Sequence, residues 1–514
     1  MFRLPPDFRL NNLRELLRNQ EESSNGGAAA RAARPPPKKR YFPELAIEPE
    51  EAGVQLLNSG EFGCPSPPHT LTSSRRYPTS VRTKLMAREI GAVKRPRYDL
   101  GRHVLPNCHG RPAVRLASRA YCGQFSEDGS FFYTCSQDFQ VRLFDTTDPT
   151  SWQHYKTIHG SSGRWTITDA TLSPDNSKIA YSSITSTVHL ASTTPDDAGT
   201  HDALDFGSRM SGYGGFGIWS LRFSGDGHEI CAGATGGAIY VYDIEARKTV
   251  LGVTGHRDDV NAVCWADEST NVLFSGSDDS VIRVWDRRSM VDGRASGVLA
   301  GHLEGITFIS PKKDGRYVLS NGKDQTTKLW DIRKLISEEQ WDHTARVDYT
   351  DAQYDYREAY YRGSLYEKHP NDVSVMSYAG HAIVSTLIRC GFSAPATTGQ
   401  QYVYSGSHCG RLFIWNLDGT LAKTLNLDKA QGRRPNVRKI DTDEVSRTGR
   451  YRGRENDDGS CIRDAAWHPS LPVIATTSWH STGGAIYVHE FMEDHSALAS
   501  QPPVVKSFLR ERRR

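Results

Sequence analysis

GHRDDVNAVCWADESTNVLFSGSDDSVIRVWDRR (residues 255 to 288) and GHLEGITFISPKKDGRYVLSNGKDQTTKLWDIR (residues 301 to 333) are one unit written twice. Each opens on Gly-His and runs through an apolar strand to a polar turn. A second strand leads into a Ser/Asn/Asp-rich turn, and a third ends in Trp-Asp. Asp279 and Asp324, like Trp285 and Trp330, lie 45 positions apart.

That period and that order of residues are those of a WD40 β-propeller blade. A buried Trp carries an indole N–H that needs an acceptor, and the unit can supply one through a chain of polar side chains. The chain is Trp285, Ser275, His256 and Asp279 in the first unit, and Trp330, Ser320, His302 and Asp324 in the second. A Ser, His and Asp set could also be a nucleophilic triad. Its recurrence at the blade period argues against that, because a hydrolase has no use for two copies.

Working outward, the ends of the third strands fall at Phe144, Ala191, Tyr242, Trp285, Trp330, Trp415 and His489, which predicts seven blades. The turns between first and second strands line up with them: SEDG at 126, SPDN at 173, SGDG at 224, ADEST at 266, KKDG at 312, SAPATTG at 393 and HPSLP at 468. Blades one, two, three and seven have lost the Trp, and the sixth has Asn416 where Asp belongs. Only the central two carry the full relay, so the others are expected to hold by apolar packing. A ring must close, since a free strand edge invites aggregation. The segment Arg102 to Leu105 is the expected outer strand beside Ala485 to Glu490, making residues 102 to 491 one unit.

The chain has 514 residues with a net charge of +3. Residues 1 to 100 hold 17 Lys/Arg against 11 Asp/Glu, and residues 491 to 514 hold five against three, so the middle is acidic. Basic arms on an acidic body predict a nuclear address or acidic protein partners rather than a nucleic-acid groove. No apolar run reaches membrane-spanning length and the N-terminus lacks a signal-peptide core, so a soluble protein of the nucleus or cytoplasm is expected. Nine scattered cysteines without a CxxC pair read as reduced, mostly buried thiols. No metal-ligand spacing, phosphate-binding loop or paired-carboxylate motif is present, so no catalytic residue, metal or cofactor is expected.

Residues 1 to 100 read as a mostly disordered extension with helical islands near 10 to 20 and 81 to 90. In the first, Leu10, Leu13, Leu16 and Leu17 share one face. A helix so short must dock, on the propeller or on a partner. PPPKKR at 35 to 40 is a basic cluster in a flexible linker, and residues 492 to 514 form a basic tail.

Longer strings go beyond the blade pattern: residues 256 to 290, 300 to 334, and YAGHAIVSTLIRCGFSAPATTGQQYVYSGSHCG at 378 to 410. These resemble the family of the plant LEC14B-type proteins and the animal WD repeat protein 23, also called DDB1- and CUL4-associated factor 11, over about residues 102 to 491. The resemblance implies a substrate receptor of a cullin-4 RING ubiquitin ligase, not itself an enzyme, docked on the DDB1-type adaptor. The family's adaptor motif is a blade end of the form Asp, then Trp-Asp-x-Arg. It stands here twice, as Asp279, Trp285, Asp286 and Arg288, and as Asp324, Trp330, Asp331 and Arg333. Third strands end on the face opposite the Gly-His loops, so Arg288 and Arg333 are expected side by side there, as guanidinium forks for a partner groove. The plainer reading is that each Arg pairs with a nearby surface acid.

The amino-terminal arm departs from the animal members, whose acidic stretch is missing. A stress-response transcription factor is the substrate the animal members suggest, and no residue here identifies it. Residues 334 to 372, rich in Tyr, follow a third strand and are expected on the face of Arg288 and Arg333. Residues 428 to 458, with SRTGRYRGRE at 446, are expected on the Gly-His face as a disordered tether. The alternative function is a WD40 scaffold in a chromatin or RNA-processing complex without a ligase. Direct nucleic-acid binding lacks the interleaved aromatics it needs, and no second copy of the chain is expected.

Overall fold

The computed structural model describes residues 45–63, 104–161, 163–197, 201–207, 216–289, 293–344, 369–427, 460–480 and 483–492. Their strands form seven four-stranded antiparallel sheets, the blades of a propeller. The inner strands are Ala120–Phe125, Ala170–Leu172, Ile218–Phe223, Val260–Trp265, Ile306–Pro311, Cys390–Phe392 and Cys461–Trp467. Phe144, Ala191, Tyr242, Trp285, Trp330, Trp415 and His489 each stand one residue from the end of a third strand. Strands deep in a blade are covered on both faces by neighbouring blades, so they read as continuous apolar runs: Phe131–Ser136 is buried at every position. The outer strand Lys248–Thr254 alternates between exposed and half-buried, because one side meets water.

The ring closes through a segment preceding the first blade, but later in the chain than expected. The outer strand of the last blade is Arg111–Leu116, antiparallel to Gly483–Glu490 with Arg111 opposite Val488 and Leu116 opposite Gly484. Val104 and Leu105 are not in a strand. Four residues stopped by Pro106 cannot run the length of an eight-residue third strand, whereas RPAVRL supplies six. The chain reaches it by donating the Asn107 and Cys108 N–H groups to the Glu490 carbonyl, each at 3.1 Å. It then turns at Gly110 (φ 110°), where a Cβ would lie 2.7 Å from the His489 ring.

Five inner strands carry a bulge at the same place, and the bulged residues are Tyr121, Trp219, Asn261, Thr307 and Arg463. The residue after the bulge, counted back from the turn that ends each inner strand, is Cys122, Ser220, Ala262, Phe308 or Asp464. Asp169 and Arg389 hold the same place in the second and sixth blades. These seven positions make one layer around the axis. Arg389 crosses it to Asp169 at 2.7 Å and also reaches Asp464 at 3.3 Å. Arg222 pairs with Asp169 at 2.8 Å, and Arg222 and Arg389 both lie over the Phe308 ring.

Both expected helical islands lie outside the described residues. Within the extension read as disordered, Glu51–Asn58 is an α-helix, and its segment packs on blades five and six. Phe62 is fully buried against Tyr317 and Phe392, and Leu56 joins the same cluster. The expected site of the 334 to 372 insertion is also corrected at its described ends. Glu338–Thr344 is a short helix whose Trp341 is buried on Val281, Val298 and Ala300. Val281 immediately precedes the third strand Ile282–Asp286, at the Gly-His end of blade four, away from Arg288. Burial of the Trp341 indole, an ion pair from Arg283 to Glu338 and the stacking of His369 on Trp341 draw the segment up the rim. Residues 345–368 and 428–459, with most of both insertions, lie outside the described residues, as do Leu10, Leu13, Leu16 and Leu17.

Eight cysteines among the described residues are free thiols, six of them buried. No helix among the described residues is long and apolar enough to cross a membrane.

Candidate protein-docking face

The third strands of blades four and five are fixed by the two relays. Trp285 donates its indole N–H to Ser275 Oγ at 2.8 Å, and Ser275 Oγ lies 2.7 Å from His256 Nε2. His256 Nδ1 is 2.9 Å from Asp279 Oδ2. In blade five the corresponding distances are 2.7 Å from Trp330 to Ser320, 2.7 Å from Ser320 to His302, and 3.0 Å from His302 to Asp324. Since each Ser accepts from the indole, its hydroxyl proton points to Nε2, which leaves Nδ1–H to donate to the carboxylate. Each Asp also accepts a backbone N–H, from Arg257 or Leu303, at 3.0 Å. Burial opposes ionisation of Asp324, but His302 and these donors outweigh it and hold the carboxyl at about 2. The relays are buried and saturated, so their part is to anchor each third strand.

Blade six departs from apolar packing alone. Its Trp415 donates to the Ala379 carbonyl at 3.1 Å, while His381 turns to Asn321 and Thr327 of blade five.

Beyond each Trp, the chain leaves the strand on the face opposite the Gly-His loops. There Arg288 forks onto Asp286, with Nε 2.9 Å from Oδ1 and Nη2 2.6 Å from Oδ2. Arg333 does the same with Asp331, Nη2 to Oδ2 at 2.8 Å. Each motif is thus a closed ring of one Asp and one Arg, the plain surface pairing considered from the sequence. The guanidiniums nevertheless remain 69% and 64% exposed. Arg287, the neighbour of Arg288, ties blade four to blade three through a fork onto Glu229 at 2.6 and 2.9 Å. That contact sets the backbone and leaves Arg288 pointing outward.

The two motifs differ in what lies behind them. The Asp286 carboxyl is held below its ordinary range by the Arg288 hydrogen bond. At Asp331 burial pushes the pKa up, against Arg316, which binds its Oδ2 at 2.9 Å. Arg316 also pairs with Glu61 of the amino-terminal segment, and Tyr317 donates to Glu61 at 2.6 Å. A chain of four charges, Glu61, Arg316, Asp331 and Arg333, therefore joins that segment to the second motif. The sequence reading missed both: Glu61 lies outside every repeat, and Arg316, though inside the second unit, stands where the first has Asn271, so it is no part of the shared pattern. The only signal was an apolar Phe62 in a polar stretch.

The WD domain, G-beta repeat family model matches residues 109–145, 247–286 and 293–331. The chain is 38% identical to the LEC14B protein of Lithospermum erythrorhizon, over 80% of this chain and 82% of that one. It is 38% identical to the LEC14B homolog of Prunus armeniaca, over 81% and 84%. It is 30% identical to the DDB1- and CUL4-associated factor 11 homolog of Caenorhabditis elegans, over 73% of this chain and 62% of that one.

Proposed function

This chain belongs to the WD-repeat family of the LEC14B proteins and the DDB1- and CUL4-associated factor 11 homologues, and from that premise we propose that it is a substrate receptor of a cullin-4 ubiquitin ligase. It docks on a DDB1-type adaptor by the face that carries Arg288 and Arg333, and it presents protein targets rather than acting as an enzyme. The observation that carries this reading is the pair of exposed guanidiniums at matching positions of consecutive blades. Each is pre-oriented by its Asp, so little side-chain freedom is lost when a partner acid or carbonyl groove closes on it.

The test is Arg288→Glu with Arg333→Glu in the tagged full chain. The relays do not use either side chain, so circular dichroism and the melting curve stay at wild type. Co-purification of the adaptor and cullin-4 is lost, and the Ala pair loses less than the Glu pair, because Glu adds repulsion. Wild-type co-purification by a folded Glu pair overturns the reading. The Asp–Arg rings themselves favour the second reading, a WD40 scaffold without a ligase, since each Arg already has a carboxylate. That outcome would select it.

A further inference from the structure

On the Gly-His face one tryptophan stands out of the ring. Trp165 is 60% exposed and has φ 69°, a left-handed conformation that a bulky residue adopts at a cost. It sits at the tip of a tight turn in which Thr166 N–H donates to the Arg164 carbonyl at 2.9 Å. Ser183 Oγ clamps the turn, accepting from the Arg164 N–H and donating to the Arg164 carbonyl, both at 2.9 Å. The indole is held out in advance rather than left there by a loose loop.

Its neighbours are aromatic and cationic. The Trp165 ring lies 5.8 Å from Tyr121, and Arg463 lies over the other ring of that pair at 5.2 Å. Arg119 lies over Trp479 at 4.7 Å. Tyr121 and Arg463 are two of the bulged residues around the axis; both are almost fully buried and back the exposed Arg164 and Trp165. Among the described residues Arg463 donates to neutral acceptors, Thr386 Oγ1 at 3.1 Å and the Tyr121 carbonyl. Among the described residues no carboxylate pairs with Arg119, Arg164 or Arg463. Beneath them Asp169 and Asp464 are already engaged by Arg389 and Arg222. Burial, and after it Arg389, holds the Arg463 guanidinium below its ordinary value, as expected of a cation short of counter-charge.

We propose that Trp165 and Arg164, backed by Tyr121 and Arg463, form the docking site for an acidic protein segment, with an apolar side chain on the Trp165 ring and carboxylates toward Arg164. The inference rests on the receptor reading and assigns its target-binding site to the face away from Arg288 and Arg333. An extended acidic segment fits better than a single phosphate. The cations are spread over blades one, two and seven, and Arg119 and Arg463 are each committed to a ring, so no three donors converge on one point.

The test is fluorescence anisotropy of a labelled peptide of Glu and Gly residues around a central Phe, titrated with the full chain and with Trp165→Ala and Arg164→Glu. Both side chains are exposed, so both variants keep the wild-type melting curve. Each weakens peptide binding by about tenfold or more, the size of a hot-spot loss, and replacing the Glu residues by Gln abolishes binding. Equal binding by the variants, equal binding of the Gln peptide, or tighter binding of a phosphoserine peptide or of RNA overturns the proposal. The Arg288→Glu, Arg333→Glu chain binds the peptide as wild type does, so failure of adaptor docking and failure of this site are read separately.

Discussion

Arg389 and Asp169 meet at 2.7 Å across the axis of the ring, although 220 residues separate them in the chain. Each occupies the same place in its inner strand, in blades six and two, and each is almost fully buried. Arg389 also binds Asp464 of blade seven, and Asp169 also binds Arg222 of blade three. Blades that never touch edge to edge are tied through the centre.

Arg389→Met therefore leaves Asp169 and Asp464 buried with fewer donors, and breaking a buried pair on one side costs about 3 kcal/mol or more. Urea unfolding of the single variant should show that loss. Asp169→Asn added to Arg389→Met should cost less than the two single losses combined, because the second change removes the stranded charge. Strict additivity would mean that the two groups do not sense each other.

The blade-five relay sets an acid limit on stability. Asp324 titrates at about 2 in the folded chain, against about 3.9 when unfolded. A lowered carboxyl contributes stability that is fully present above about pH 4 and is lost as the pH falls toward 2, roughly 2 to 3 kcal/mol for this difference. Asp324→Asn should be less stable than wild type at neutral pH, and the gap should narrow on acidification through that window. Parallel stability curves for the two chains from about pH 5 to about pH 2 would contradict the relay as drawn.

The closing strand makes solubility depend on a short segment. A chain truncated internally, with residues 109 to 117 replaced by a Gly/Ser linker and residues 45–63 kept, lacks Arg111–Leu116 and exposes the edge of Gly483–Glu490, a free apolar edge of the kind that aggregates. Size-exclusion chromatography should show oligomers, and a peptide spanning residues 109 to 117 should restore the monomer by adding the missing strand. A monomeric, cooperatively melting truncated chain would show that the ring does not need this strand.

Both relays were legible in the sequence because each rests on a local repeat of a Trp, a Ser ten residues before it, and a Gly-His with its Asp; blade number and the other third-strand ends were legible from the recurring turns between first and second strands. The closing strand was expected from Arg102 and begins nine residues later, at Arg111, since an outer strand carries little pattern beyond alternation and its partner lies at the far end of the chain. Arg389 was visible only as part of an unusual TLIRC string. Its role needed the axis, which brings residues 169, 222, 389 and 464 together without any spacing in common. Trp165 could not be singled out, because exposure and a positive φ leave no trace in a row of letters.

The amino-terminal segment offers a last and sharper contrast. Phe62 is 0% exposed, wedged between Tyr317 at 4.9 Å and Phe392 at 6.3 Å, with the Lys312 ammonium over its ring at 4.8 Å. Val54, on the helix Glu51–Asn58 of the same segment, is 37% exposed. If the segment is a packed part of blades five and six, Phe62→Ala opens a cavity in a shared core and costs about 3 kcal/mol or more, whereas Val54→Ala stays within about 0.5 kcal/mol. Glu61→Gln should fall between them, because it removes the charge that Arg316 and Tyr317 address but leaves an amide oxygen for one of them. The melting curves of the three variants decide the matter. Equal, small effects would mean that the segment only rests on the propeller and that the charge chain running through Asp331 to Arg333 holds nothing in place. A large loss at Phe62 would make residues 45–63 part of the folded unit, and any truncation meant to test adaptor binding would then have to stop short of them.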